Sequence, residues 1–394
     1  MGGPRRPGLN GPCASTWPCS IPPAACAPWP MSARACFGPR RCSTPPTRPP
    51  NGGRARSRIG MSHGGRAMLT RWTWGIVALA LVALGAVVWR QWPGEGRADS
   101  FAQDRVPAAP QQVPFDPTRA LKDIAAICAI GTRVSGSAGM LKQQEMLERH
   151  FKAQGLEVSF QRFQATRKST RTTVDMANLV ARINPENPVR VVICTHYDTR
   201  PRADQELDRA KRDAPFLSAN DGASGVAFLM ELARHAKAIK CAHGIDLVCF
   251  DGEEFVLEQE DEYFHGSRHF ATRARLDAQR GVKYRCAVLL DMIAGKNPRF
   301  PVEQNSWFMA PRLVEEIYST AIELKAASFQ ANRYSSTPVE DDHVPLNKGG
   351  IPAIDIIDFD YPHWHRTTDT PENCHPEGLD QVARVLVAWL GRIR

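Results

Sequence analysis

The chain has 394 residues, and its 43% hydrophobic content is ordinary for a globular core, enough for one large domain or two small ones. The formal charge of +9 is no guide to its partners, because the first 94 residues carry 12 arginines and no Asp or Glu, leaving 38 basic against 41 acidic side chains in the rest. The positive charge belongs to the N-terminal leader, and nucleic-acid binding is excluded as an inference from charge.

Residues 1–67 are rich in Pro, Gly, Arg and Cys without hydrophobic periodicity, as in GPCASTWPCSIPPAACAPWP. Such a stretch buries too little apolar surface to offset chain entropy, so a disordered leader is expected, one that a start at Met61 or Met68 would leave largely untranslated. The run Trp74–Trp89, WGIVALALVALGAVVW, is free of charge, with Arg66 and Arg71 before it and Arg90 after. A spanning helix needs about 20 apolar residues and a signal-peptide core about 7–15, so the run lies between the two. Tryptophans at both ends suit the membrane interface, and no small-x-small cleavage site follows. A transmembrane anchor over 74–90 is therefore expected, with a cleaved signal and a secreted product as the alternative. The preceding arginines predict a cytoplasmic N-terminus and an exported remainder, periplasmic or extracellular.

Residues 91–115 read as a Pro- and Ala-rich linker, and the folded domain is expected over 116–394. Of eleven cysteines, five lie in the leader, and none of the other six shows paired zinc-finger spacing. Helical periodicity marks Asp116–Ile130, Ala138–Gln154, Ser224–Ala238 and Glu377–Leu390. Strands are expected over Leu156–Phe163, Asn178–Ile183, Val189–Thr195, Ile245–Phe250, Tyr284–Leu290 and Ala353–Ile357. Alternating apolar strands and helices predict an α/β fold with a mostly parallel central sheet covered by helices on both faces.

Polar residues follow each apolar strand: His196 after the first buried run, Glu253 and Glu254 in VCFDGEEF, Asp291 after the next, and Trp364-His365 after the last. Asp221 stands just before a helix, where it can also serve as N-cap. In a parallel sheet these carboxyl ends share one edge, so His196, Asp221, Glu254, Asp291 and His365 can converge. Carboxylate plus imidazole is a ligand set for zinc, and one glutamate of the adjacent pair can bind metal while its neighbour handles protons.

The ordered set HYD, ANDGASG, DGEE, LDM and WH resembles the M28 family of zinc exopeptidases, and within it the glutaminyl-peptide cyclotransferases. HYDTRP, YFHGSRHFA and LLDMIAGKNPRFP carry the likeness to the cyclotransferase branch, which extends through EDDHVP and WHRTTD over most of 116–394. The resemblance implies zinc ligands Asp221, Glu254 and His365, a proton shuttle at Glu253, and a carboxylate network of Asp291 and Asp341 beside it. It implies a pocket wall at Trp364, with Tyr361 as a further substrate-binding residue, and a possible second metal at His196 and Asp291. One zinc ion is favoured over two. The sequence departs from animal cyclotransferases in FVLEQEDE, which has no tryptophan after the Glu-Glu pair. The implied reaction closes an N-terminal glutamine of a peptide or protein to pyroglutamate with release of ammonia. A zinc aminopeptidase built on the same residues is the alternative, and an inactive binding ectodomain is disfavoured because no ligand is missing.

Overall fold

The computed structural model describes residues 109–394, a mixed α/β fold with a central sheet and packed helices. The expected leader over 1–67, the membrane segment over 74–90 and most of the 91–115 linker lie outside the described residues. Among the described residues no helix is long and apolar enough to cross a membrane.

Helices α1 (Pro117–Cys128) and α2 (Ala138–Ala153) come first, each opened by a side-chain cap. The Asp116 carboxylate accepts from the amides of Thr118 and Arg119, and the Ser137 hydroxyl accepts from that of Met140. The order continues β1 (Glu157–Arg167), β2 (Thr172–Ile183), β3 (Val189–His196), α3 (Ala223–Arg234), β4 (Gly244–Phe250), α4 (His265–Gln279) and β5 (Lys283–Asp291). It ends with β6 (Phe300–Val302), α5 (Gln304–Met309), α6 (Pro311–Glu323), β7 (Phe329–Tyr334), α7 (His343–Lys348), β8 (Ala353–Ile357) and α8 (Pro376–Leu390). Packing reaches back into the last residues of the expected linker. Gln111 donates to the carbonyls of Lys240 and Val387, and Val113 and Phe115 rest on the core.

Six strands form one sheet in the order β1-β2-β4-β3-β5-β8, while β6 and β7 form a small parallel pair. Pairs β3–β4, β3–β5 and β5–β8 are parallel, whereas β1–β2 and β2–β4 are antiparallel. The sheet is thus mixed, because the short turn between β1 and β2 makes a hairpin where a parallel pair would need a long crossover. Strand alternation divides the core into two layers. Val191, Ile193, Leu247 and Val288 pack with α1, α3, α6 and α8, while Val192, Cys194, Val248 and Leu289 pack with α4 and α7. Covered faces on both sides explain why the central strands are apolar at successive positions. The connection leaving β3 leads to β4 and that leaving β5 leads to β8, in opposite directions across the sheet, so the carboxyl ends of β3 and β5 flank a crevice.

At the opposite edge of the sheet, Arg190 of β3 and Asp246 of β4 form a buried pair, with Nε donating to Oδ1 at 2.6 Å. The remaining guanidinium hydrogens go to the carbonyls of Ile183, Asn184, Asn187 and Ile245. Removing one partner of such a pair strands a buried charge at a cost of about 3–5 kcal/mol. Arg190→Met is expected to lower the unfolding free energy by about that amount in urea denaturation. A loss below about 1 kcal/mol would show that Asp246 is readily neutralised or hydrated there.

Candidate functional site

At the crevice, His196 ends β3 and Asp291 ends β5, while Glu253 and Glu254 lie in the turn after β4. Asp221 precedes α3, Asp341 precedes α7, and Trp364 and His365 follow β8. Two overlapping sets of ligand atoms result, His196 with Asp221 and Asp291, and Asp221 with Glu254 and His365, each within 4.8 Å of one another. His365 Nε2 lies 2.6 Å from Glu254 Oε1 and 3.5 Å from Asp221 Oδ2, and His196 Nε2 lies 3.2 Å from Asp221 Oδ1 and 3.4 Å from Asp291 Oδ1. Asp221 Oδ2, Glu254 Oε2, Asp291 Oδ1 and His196 Nδ1 are buried without a hydrogen-bond partner. Unsatisfied buried oxygens from converging carboxylates are what a cation would satisfy.

The protonation equilibria carry the same signature of excess negative charge. Burial by itself would depress the two imidazoles. Contacts of His196 with Asp198, Asp221 and Asp291 outweigh it and hold that ring well above its ordinary pKa, and Glu254 and Asp204 push His365 up to about 10. Glu253 is held well above the usual carboxylate range, first by burial and then by the charge of Glu254. Burial raises Asp291 and Asp341 as well, and the charge of Asp291 adds to the rise at Asp341.

A set of acceptors one layer out fixes the backbone that carries these groups. The Asp198 carboxylate receives the amides of Glu253 at 3.1 Å and Glu254 at 3.0 Å, clamping the turn after β4. Asp369 receives the amides of Asn220 and Asp221. Asp204 Oδ1 lies 2.9 Å from His365 Nδ1 and is itself paired with Arg200, so the ring's Nε2 is turned toward Glu254 and Asp221. Asp221 does not cap α3: the N-cap is Gly222 at φ 95°, without a side-chain cap. A Cβ at Gly222 would stand 2.9 Å from His196 Cε1, so the glycine allows the start of α3 to approach the end of β3.

A pocket of about 320 Å³ opens over the cluster. Asp221, Glu253, Glu254, Asp291, Asp341 and His365 all reach its wall, as does Trp364, whose ring lies 4.2 Å from that of His365. His196 and Tyr361 do not line it. Both are buried, and the Tyr361 hydroxyl donates to Asp369 Oδ1 at 2.9 Å, which places it behind the Asp221 backbone instead of in contact with the cavity. Residues 255–262, where the sequence departs from the animal pattern, supply no side chain to the pocket, and Tyr263, Phe264 and Arg200 form that wall instead. Asp198 and Arg200 lie in HYDTRP and Asp369 closes WHRTTD, whereas Asp204 sits in a loop outside these motifs; the sequence offered no role for any of the four.

The profile of peptidase family M28 matches residues 178–390. A glutaminyl cyclase from Fimbriiglobus ruber of known structure is 43% identical, superimposes with a TM-score of 0.70, and covers 73% of this chain and 99% of its own. A leucine aminopeptidase precursor from Bacteroides thetaiotaomicron is 26% identical with a TM-score of 0.67, covering 72% of this chain and all of its own, 100%. Among curated proteins, the glutaminyl-peptide cyclotransferase-like protein of Bos taurus is 26% identical over 281 residues, 66% of this chain and 71% of that protein. Across the curated relatives, the matched segments span 64–71% of the relative's length.

Asp198 offers a test of how the turn is held. Asp198→Asn keeps the shape but removes the charge and turns an N–H toward a backbone donor, costing about 1.5–3 kcal/mol for a charged hydrogen bond. The expected result is a lower denaturation midpoint and faster proteolysis within 251–264. An unchanged midpoint and cleavage pattern would mean that other contacts hold the turn.

Proposed function

The chain belongs to peptidase family M28, and from that premise we propose that it is a zinc-dependent glutaminyl-peptide cyclotransferase, closing N-terminal glutamine of peptides or proteins to pyroglutamate. The observation that carries the reading is the arrival of Asp221, Glu254 and His365 on one pocket wall with Glu253 beside them. The identity of 43% to a glutaminyl cyclase, against 26% to an aminopeptidase precursor, supports the cyclotransferase over the aminopeptidase.

The donor chemistry fits zinc, since the cluster combines carboxylates with imidazole and leaves carboxylate oxygens unsatisfied. Asp221, Glu254 and His365 would hold the ion. One ion is favoured because these three all line the pocket, whereas His196, the imidazole of the second set, does not. When bound, zinc supplies Lewis acidity toward a carbonyl oxygen and electrostatic stabilisation of the charge that develops there.

The side chains of the protein do the rest. Trp364 walls the pocket beside the glutamine side chain. The substrate's α-amine attacks its own side-chain amide carbon; a C–N bond forms to the amine, the bond to the amide nitrogen breaks, and ammonia leaves. Glu253 accepts the proton from the amine and returns it to the departing nitrogen, a task suited to a carboxyl group that burial and the charge of Glu254 hold well above the usual carboxylate range. Asp291 and Asp341 complete the buried carboxylate network on the same wall. Tyr361 acts through Asp369 by holding the backbone of Asp221. In the whole chain we place this unit outside the cytoplasm, tethered by 74–90 through the 91–115 linker.

Turnover of a Gln-initiated peptide, followed as ammonia release, is compared with hydrolysis of an N-terminal Leu amide by the same preparation. Ammonia release far exceeding Leu release is expected, and the reverse order would establish the aminopeptidase. Glu253→Gln should lower ammonia release by about 10²–10⁴-fold while zinc content stays intact, whereas Glu254→Gln should lose zinc. Equal zinc loss in both variants would contradict the separation of proton transfer from coordination.

A further inference from the structure

A second cavity of about 380 Å³ continues from the pocket, and Phe264 and Glu340 line both. It runs along the groove between α4 and α7. Ala271 and Val344 are buried in its floor, and the two helices touch so closely that a Cβ at Gly349 would stand 2.5 Å from that of Ala271. Its exposed rim is cationic, made of Arg268, Arg275 and Lys348. The Arg275 guanidinium is held by the carbonyls of Lys348 at 3.1 Å and Gly349 at 3.4 Å and meets no carboxylate among the described residues. Lys348 makes no ion pair among the described residues, and Arg268 has only the partly exposed Glu262, at 3.3 Å. Glu340, at the junction with the pocket, is the single acidic residue of the lining. The groove beside Phe359 also adjoins the pocket, but its lining mixes Arg299 and Arg333 with the more numerous carboxylates of Glu303, Asp358 and Asp360 and offers no cationic rim.

We propose that the groove between α4 and α7 receives the substrate chain beyond its N-terminal glutamine and selects peptides with acidic side chains there. The proposal rests on the cyclotransferase reading for the position of the glutamine. From Phe264 to Arg275 the wall follows eleven residues of helix, about 16 Å, which an extended peptide crosses in about five residues. The second residue passes Glu340, and the third to fifth lie over the three cations. Each exposed contact is worth little, about 0.2–1 kcal/mol, but three of one sign add to a readable preference that salt screens.

The test compares Gln-Ala-Glu-Glu-Glu-Ala with Gln-Ala-Lys-Lys-Lys-Ala, and uses Gln-Ala amide, which ends before the cationic rim, as the control. At low ionic strength the acidic peptide should show a KM about tenfold below that of the basic one, at similar kcat, with the ratio shrinking as salt is added. The double variant Arg275→Glu, Lys348→Glu should abolish or invert the order and leave Gln-Ala amide turnover unchanged. Fluorescence anisotropy with labelled copies of the two peptides reads the groove independently of turnover. Equal affinities for the two peptides, or a preference that survives the double substitution, would overturn the groove assignment. Selective binding of the acidic peptide without turnover of Gln-Ala amide would uphold the groove and contradict the cyclotransferase reading.

Discussion

Concentrated negative charge at the carboxyl edge of the sheet is the constraint on which the rest of the site depends. Asp221, Glu254, Asp291, Asp341 and Asp342 are all buried there, with Glu253 nearly so. The cations that reach them are few: His196, His365 and Arg200, whose Nη1 lies 3.8 Å from Glu254 Oε1. Carboxylates brought together out of water repel one another and resist ionisation, so the arrangement persists only with protons or a cation among them. The raised pKa values of Glu253, Asp291 and Asp341 and the raised pKa values of the two histidines are opposite faces of this imbalance.

The fold holds such groups together through its backbone. Asp198 and Asp369 spend their own charge on the amides of the segments bearing Glu253, Glu254 and Asp221, so that local hydrogen bonds work against the repulsion of the side chains. Ser218, Phe264, Met292 and His365 adopt left-handed backbone conformations near the crevice, which are costly for residues other than glycine and are tolerated where surrounding packing leaves no other choice. Ion pairs at the far ends of the strands, above all Arg190 with Asp246, secure the sheet without entering the chemistry.

The sequence makes the central strands legible because burial on both faces leaves apolar runs, broken over Val189–Thr195 and Ile245–Phe250 only by the paired Arg190 and Asp246. Strand direction is another matter. The alternation over Leu156–Phe163 marks a strand but is silent on its pairing, and the antiparallel edge comes from a hairpin turn without a strong glycine signal. Residues that directly follow strands were readable as candidates, since topology sends strand ends to one edge. Asp204, in a loop outside every motif, was not, and Asp369 was visible only as the end of WHRTTD, with no role, because the two act on residues 161 and 148 or 149 positions away. Tyr361 shows the converse limit: the resemblance implied a substrate-binding residue there, but the phenol donates to Asp369 behind the pocket wall.

Metal content and thermal stability measured together on the full chain test the central claim most directly. The account predicts zinc in the purified protein, close to one ion per chain, a melting temperature that falls when a chelator removes it, and recovery on adding zinc back. Zinc at a thousandfold excess over its Kd would stabilise the native state by about 4 kcal/mol. Metal-free protein with the same melting temperature in the presence and absence of zinc would contradict the account.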